Sequence, residues 1–307
     1  MMKKNKVPIL LLFLWLFILS NACAIAREKT ELAVYQPYDK TIVYSNSITV
    51  EGFARGDNRI EKVLVNSKEV FISSDGKFVS GVPLTIGKNT LDIVALDKKN
   101  KILAEKKKRV LRLKTFKDLG DDPWSRDAVE GLATLGIISG YPDGNFLPNN
   151  SITRAEIIAW IVALLTSEAA VPESDKFYDL TPSHWAYRYI ILADEKGFIK
   201  GYPDGGFRPN NTVTRMEALA IVARFMDLPA YAEVNKSPFM DVSPDYWGFP
   251  IIISASKAGL LTYVKTAYLG PADQISRGEV AVLLSKTKLV LEKMGDLYDF
   301  LHTEKVN

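Results

Sequence analysis

Three arginines occupy equivalent positions of a repeated motif and could bind an anionic ligand. Arg154, Arg215 and Arg277 lie in the runs ITRAE, VTRME and ISRGE, 61 and 62 residues apart. In each run Thr or Ser precedes the arginine, and Glu follows two positions after it. A hydroxyl residue with Glu three positions later, ahead of an apolar stretch, forms a capping box. The motif therefore predicts that a helix begins at each arginine.

An arginine at the first position of a helix needs a reason. The helix dipole makes this end positive, so an exposed cation there costs about 0.3–1 kcal/mol. A bound anion would reverse that cost, because a guanidinium holds a carboxylate through two parallel N–H bonds and free helix N–H groups attract the same charge. Thr153 and Glu156 are predicted only to start the helix, and a structural role alone does not explain Arg154.

The arginines belong to a longer repeat. Each stands 30 residues after a tryptophan, which itself follows an aspartate by six residues and precedes a glycine by twelve. Self-similarity of this kind marks an array of one supersecondary unit. Each copy is predicted to form loop, helix, loop and helix, with the first helix over 124–135 in copy one, and three copies are needed to bury a shared core. The tryptophans are Trp124, Trp185 and Trp247, and the aspartates are Asp118, Asp179 and Asp241.

Residues 31–114 have a different period. Runs such as SITVEGFA and TLDIVALD alternate apolar and polar residues, with turn residues between them. About seven short strands in a β-sandwich are predicted. The region resembles bacterial immunoglobulin-like modules of the glucodextranase B type, which implies a spacer.

The first 26 residues have the organisation of a signal peptide. A basic start precedes an apolar run of 13 residues, Val7 to Leu19, which is shorter than the roughly 20 residues of a spanning helix. Ala24-Ile25-Ala26 fits a signal-peptidase site, which favours export. An uncleaved membrane anchor is one alternative. Lipid attachment at Cys23, the only cysteine, is another, although Leu19 stands one position too far from it for the usual lipoprotein pattern.

Composition narrows the classes of function. The chain of 307 residues is 47% hydrophobic and 24% charged, as in ordinary globular proteins. Residues 27–114 carry 18 basic and 11 acidic side chains, whereas residues 115–307 carry 18 and 25. The acidic repeat region argues against nucleic acid as its ligand. No hydrolase, metalloprotease or phosphate-loop motif is present, so we predict no enzyme activity, no cofactor and no metal.

The F-x-D start, the tryptophan, the GYPDG-x-F-x-P-N-N loop and the TRAE box together resemble the S-layer homology (SLH) family, over residues 116 to about 290. The resemblance implies a multidomain protein with an N-terminal all-β immunoglobulin-like sandwich and a mainly α pseudo-threefold SLH helical spindle. It implies non-covalent binding of a pyruvylated secondary cell-wall polymer, or of peptidoglycan-linked glycan, in grooves between repeats. The implied glycan-binding residues are Arg154, Arg215, Arg277, Trp124, Trp185, Trp247, Asp118, Asp179, Gly140 and Gly201.

Two of these residue sets have a structural interpretation as well. A tryptophan at a helix start in a small repeat is more often a core or inter-repeat plug than a sugar platform, and the aspartates are typical loop-ordering acceptors. Copy three also departs from the pattern, because TYVKTAYLGP replaces SGYPDGNFLP and Tyr263 takes the place of the loop glycine. We therefore expect copy three to contribute least to binding, and Arg277→Ala to matter less than Arg154→Ala.

The sequence thus predicts an exported protein of the cell surface, cell wall or S-layer, or of the periplasmic face of an outer envelope. Its partners would be the wall glycan and other surface-layer proteins. A lipoprotein that tethers an outer layer to peptidoglycan is the alternative, and a glycan-processing enzyme is less favoured. The predicted segments are a signal peptide over 1–26, the sandwich over 31–114, SLH repeats over 116–170, 177–230 and 239–290, and a helical tail over 291–307.

Overall fold

The alternating N-terminal runs form eight strands in the computed structural model, which describes residues 30–56, 60–120, 123–165, 174–229, 231 and 236–302. Val63, Val65, Ile93 and Ala95 point inward and are almost fully buried, as alternation predicts. The strands are β1 (Glu31–Gln36), β2 (Thr41–Val43), β3 (Ser47–Arg55), β4 (Lys62–Val65), β5 (Lys68–Val70), β6 (Lys77–Pro83), β7 (Gly87–Leu96) and β8 (Ile102–Arg112).

The strands make two sheets. One has the order β1-β3-β6, and the other has the order β2-β8-β7-β4-β5. β4 pairs antiparallel with β7, with Val63 opposite Ala95, whereas β2 pairs parallel with β8, with Thr41 opposite Val110. The predicted all-β sandwich is confirmed, with eight strands instead of about seven.

Seven helices follow in the described residues. Pairs of helices make up each repeat, and a last helix lies beyond the third. They are α1 (Pro123–Thr134), α2 (Arg154–Ala163), α3 (Tyr187–Glu195), α4 (Arg215–Phe225), α5 (Phe249–Lys257), α6 (Arg277–Ser285) and α7 (Lys288–His302).

The predicted capping boxes are present at all three second helices, α2, α4 and α6. In the first, the Glu156 N–H donates to the Thr153 hydroxyl over 3.2 Å, and the Thr153 N–H donates to the Glu156 carboxylate over 2.9 Å. The first helices end as predicted too, since Gly136 adopts φ 73° just after α1, a conformation that glycine adopts without the penalty of a Cβ.

The three repeats close into a ring. The Ile152 N–H donates to the Ile275 carbonyl, the Ile275 N–H to the Val213 carbonyl, and the Val213 N–H to the Ile152 carbonyl, over 3.1–3.2 Å. Helix packing follows the same cycle, with α2 on α3, α4 on α5, and α6 on α1. This is the pseudo-threefold arrangement expected for the helical region.

The chain divides into two compact units that do not follow the boundary between strands and helices. The first takes in the described residues up to Tyr38 together with Thr49–Val82 and Leu91–Lys108. The second combines Asp39–Ile48 and Pro83–Thr90 with everything from Arg109 onward, so it holds all the repeats. Within this second unit, Leu297 and Leu301 of α7 pack in one apolar cluster with Leu111 and Leu113.

Candidate functional site

Each second helix begins against the loop of the next repeat around the ring. The N–H groups at its first two positions donate to carbonyls of that loop: Arg154 to Asn211 over 2.9 Å, and Ala155 to Pro209 over 2.9 Å. The helices that begin at Arg215 and Arg277 do the same. The third N–H goes to the capping hydroxyl. Our expectation that free N–H groups at these helix starts attract an anion is therefore wrong, because the neighbouring repeat already satisfies them.

An aspartate at the start of each repeat shapes the loop. Both carboxylate oxygens of Asp118 accept backbone N–H groups, from Phe146 over 2.8 Å and from Leu147 over 2.7 Å. Asp179 and Asp241 make the same pair of contacts in their own repeats. The bonds hold Leu147 at φ 60°, a left-handed conformation that is unfavourable for leucine. The geometry is that of loop-ordering acceptors, and direct glycan contact by Asp118 and Asp179 stays a prediction.

The loop glycines are required by packing. A Cβ on Gly140 would lie 2.4 Å from the Asn145 carbonyl oxygen, and one on Gly201 would lie 2.6 Å from the Phe177 ring. Gly140 also lines an open cavity, described below. Close approach of a sugar to either backbone remains a prediction.

The first groove, as we define it, combines Arg277 of the third repeat with the loop 139–142 of the first. The guanidinium donates to the Phe146 carbonyl over 2.8 Å and to the Ser139 carbonyl over 3.1 Å, and it pairs with Glu156. It also lies 4.7 Å from the ring centre of Tyr141. Among the described residues, two of its five N–H groups have no partner, so they can donate to a ligand.

The second groove repeats this arrangement one step around the ring. Arg154 of the first repeat donates to the carbonyls of Phe207 and Lys200, over 2.9 and 3.4 Å, and lies 4.8 Å from the Tyr202 ring. The nearest oxygen of Glu217 is 3.9 Å from its Nη1. Within the described part of the chain, three of its N–H groups have no hydrogen-bond partner.

The third groove is the most self-contained. Arg215 donates twice to Glu279, over 2.8 and 3.2 Å, and to the carbonyls of Leu269 and Gly270, over 2.6 and 2.8 Å. One N–H remains without a partner among the described residues. Tyr263 stands beside it, and its buried hydroxyl makes no hydrogen bond of normal geometry there.

Arginine and loop therefore come from different repeats in every groove. We expected the degenerate loop of copy three to weaken the site of its own arginine, Arg277. The structure instead places Arg277 with the intact loop of copy one and Arg215 with the degenerate loop. Arg215, and not Arg277, is the arginine whose groove departs from the pattern.

The burial of these arginines changes their electrostatics. Burial lowers the pKa of Arg154 and Arg277, against the opposing effect of nearby carboxylates and tyrosines. Burial also disfavours the charged form of Arg215, yet its hydrogen bonds with Glu279 raise its pKa overall. All three stay protonated at any physiological pH. The positive charge that looked misplaced in the sequence is thus matched by a capping-box glutamate of the next repeat.

Two of the grooves contain open cavities. The first groove holds about 830 Å³ between Gly140, Glu156, Arg277 and the side chains of the adjoining helices. The third holds about 560 Å³, lined by Arg215, Tyr263, Lys265 and Tyr268 among others. Both volumes lie in the range of about 300–1,000 Å³ that is typical of small-molecule sites.

The predicted tryptophans lie on the surface. Trp124, Trp185 and Trp247 are 40%, 58% and 63% exposed, so none of them is a core residue. Trp124 does touch another repeat, because a Cβ on Gly278 of α6 would lie 2.8 Å from its ring. Trp185 lines the cavity of the first groove.

Sequence reasoning missed two tyrosines. Tyr141 and Tyr202 stack on the arginines, and each donates its hydroxyl to the capping-box glutamate of its own repeat over 3.0 Å. The sequence shows that both tyrosines belong to the GYPDG loop. It does not show that they contact an arginine, because that arginine belongs to another repeat.

The sequence analysis also made predictions about the N-terminal segment, membrane-spanning helices and metal sites. The signal peptide and Cys23 lie outside the described residues. No helix among the described residues is long and apolar enough to cross a membrane. Nor do the described residues contain a group of three or more His, Cys, Asp or Glu side chains placed to hold a metal ion.

Comparison with protein families matches the S-layer homology domain to residues 115–158 and 176–219. The chain carries S-layer homology repeats. Glucodextranase domain B matches residues 30–112, upstream of them. The matched SLH segments are the first two repeats, and the third unit shares their capping box, loop aspartate and place in the backbone ring.

The proteins that are similar in sequence to this chain include surface proteins and enzymes. Cell surface glycoprotein 1 of Acetivibrio thermocellus is 33% identical over 46% of this chain, and a cellulosome-anchoring protein of that organism is 36% identical over 44%. An amylopullulanase of Thermoanaerobacterium thermosulfurigenes is 33% identical over 60%. The matches span only 6%, 31% and 10% of those proteins. The SLH repeats, together with the surface-protein relatives, indicate an exported protein of the cell surface. The chain covers a minor part of the length of each relative.

Proposed function

We propose that the protein is a non-catalytic anchor that holds to cell-wall carbohydrate through its SLH grooves. The first groove carries the proposal: Arg277 has two uncommitted N–H groups and lines an open cavity with Gly140 and the exposed Trp185. A guanidinium presented in this way suits a carboxylate, and a pyruvate ketal places a carboxylate on a sugar. Names of relatives such as the cellulosome-anchoring protein support an anchoring role.

The grooves differ in how much of each arginine is free. Arg154 and Arg277 keep three and two N–H groups without partners among the described residues, whereas Arg215 keeps one. The proposal therefore assigns binding to the first and second grooves, with Trp185 and Trp247 as candidate sugar contacts. Arg215 and Trp124 would contribute least. A glycan-cleaving activity has no support in the described residues.

Retention on isolated wall sacculi tests the proposal. Sacculi are used intact, after mild acid has hydrolysed their ketals, and after removal of the secondary polymer. The protein should be retained only on intact sacculi. Equal retention on acid-treated sacculi would refute recognition of the ketal carboxylate, and equal retention without the polymer would redirect the proposal to peptidoglycan.

Substitutions must keep the fold, because the arginines are buried. Arg154→Lys together with Arg277→Lys keeps both charges and removes the planar fork. Loss of one charge-assisted hydrogen bond, worth about 1.5–3 kcal/mol, should weaken retention about tenfold or more. Arg224→Lys is the matched control, since Arg224 is exposed in the last turn of α4, away from the start of that helix. Circular dichroism confirms that each variant is folded before the sacculus assay.

A second attachment through Cys23 remains an alternative for the N-terminus. One lipid chain binds membranes weakly without a second attachment, so the wall grooves would supply that second contact in a tether. Mass spectrometry of the mature protein decides between the two proposals. A lipidated Cys23 supports the tether, and an unmodified start after Ala26 supports a secreted wall protein.

A further inference from the structure

The first groove has aromatic side chains that the other two lack. Four residues after the capping-box glutamate stands Trp160, where the second and third repeats have Ile221 and Leu283. Four residues after the helix-start tryptophan stands Tyr189, where the third repeat has Ile251. Trp160 is on α2 and Tyr189 on α3, and α2 packs on α3. The ring closure therefore brings both unusual residues to the same groove.

These aromatic residues adjoin the arginine. The Trp160 ring centre lies 5.0 Å from the Arg277 guanidinium and stacks on Phe146 at 5.8 Å. Trp185 and Tyr189 form a second aromatic pair, with ring centres 6.4 Å apart. Trp160, Trp185, Tyr189 and Arg277 all line the cavity of about 830 Å³. A charged end and an aromatic end thus share one cavity.

The aromatic end is uncharged. Among the residues that line this cavity, only Arg277 and Glu156 carry charge, and they pair with each other. Trp185 is more than half exposed, although large aromatic side chains gain most from burial. An uncharged sugar ring with an apolar face would cover the Trp185 side chain without leaving a charge unpaired.

From this geometry we infer a second subsite in the first groove, which takes an uncharged pyranose ring next to the acidic sugar at Arg277. Trp160 lies at the floor of the subsite, and Trp185 and Tyr189 present the ring faces on which the sugar stacks. The inference rests on the proposed function, because Arg277 must hold the acidic residue of the same chain. With this second subsite, the first groove would bind two adjacent sugars, whereas the other grooves would bind one.

Calorimetric titration of the full chain with two probes tests the inference. One probe is a methyl hexopyranoside with a pyruvate ketal across O4 and O6. The other is a disaccharide with the same ketal sugar linked to an uncharged N-acetylhexosamine. Since an aromatic stack contributes on the order of 1 kcal/mol, the first groove should bind the disaccharide about fivefold to tenfold more tightly than the monosaccharide.

Variants locate this preference. Tyr189→Ile, which installs the residue of the third repeat, should lower the preference for the disaccharide and leave the monosaccharide affinity unchanged. Trp247→Ala is the matched control, because Trp247 is equally exposed at the equivalent site of the second groove. It should leave the preference of the first groove intact.

Each failure has a distinct meaning. If the wild-type protein binds neither probe, both the subsite and carboxylate recognition are overturned. If it binds both probes equally, or if Tyr189→Ile keeps the full preference, the subsite alone is overturned and the anchoring proposal stands.

Discussion

Arg277→Ala should be severely destabilising, although the side chain belongs to a ligand-binding motif. Its side chain is 2% exposed and pairs with Glu156, which is itself mostly buried. Removal would take the counter-charge from that carboxylate, which would keep only its hydrogen bonds from Thr153 and Tyr141. The carbonyls of Phe146 and Ser139 would lose the donor that Arg277 supplies. It would also open a space among three aromatic rings.

The expected loss of stability in Arg277→Ala is about 3–5 kcal/mol, the usual cost of removing one partner from a buried ion pair. For a unit of about 200 residues, each kcal/mol lowers Tm by about 2–4 °C, so a fall of about 6–20 °C is expected. Whole domains are stable by only about 5–15 kcal/mol. Loss of wall binding by this variant would therefore say little about the ligand.

Thermal unfolding followed by circular dichroism measures the effect. Arg208→Ala is the comparison, because Arg208 pairs with Asp204 on the surface, where solvent screens the interaction, and its Tm should hardly change. Replacing both partners, as Arg277→Met with Glu156→Gln, should recover part of the loss since no unpaired charge stays buried. If Arg277→Ala lowers Tm no more than Arg208→Ala, Arg277 does not connect the repeats as described.

Three further predictions concern the other grooves and loops. Tyr263→Gly restores the loop glycine of the other copies beside Arg215 and should raise the number of ketal-sugar molecules bound per chain by one in calorimetry; unchanged stoichiometry would show that the bonds of Arg215, and not Tyr263, limit this groove. Burial would raise the pKa of Glu217, but hydrogen bonds from Thr214 and Tyr202 and the charge of Arg154 lower it overall. Its stabilising contribution is therefore complete above its ordinary pKa of 4.5 and is lost as pH falls through the lower folded value, so Glu217→Gln should flatten the acid limb of urea-unfolding stability. Asp118→Ala leaves two loop N–H groups without acceptors and should cost about 3 kcal/mol in urea unfolding, whereas Asp143→Ala at the turn should cost clearly less.

The local features of the repeat could be predicted because they depend on neighbours in sequence. Thr153 and Glu156 are three residues apart, so their capping contacts need no knowledge of the fold. The same holds for Gly136 at the end of α1, and for the alternation of buried residues in the strands. The family resemblance added the threefold arrangement, which spacing alone does not define.

The partners of the arginines could not be predicted, because they depend on the direction in which the repeats follow one another around the ring. Either neighbour could have supplied the loop at Arg277, and sequence spacing is the same in both cases. The exposure of Trp185 was missed for a related reason. A tryptophan at a helix start has the same local pattern whether the next repeat covers it or leaves it open.

The closed backbone ring has a consequence for how such proteins can change in length. In open solenoid arrays a repeat can be added or lost at an end, because each contacts only its neighbours. Here the Ile152, Val213 and Ile275 bonds return to their starting point, so a fourth repeat would have no place in the cycle and a two-repeat fragment would lack a complete first groove. Deletion or duplication of one repeat should therefore prevent the helical domain from folding. Diversity must arise instead by substitutions within a fixed set of three, as Trp160, Tyr189 and Tyr263 illustrate.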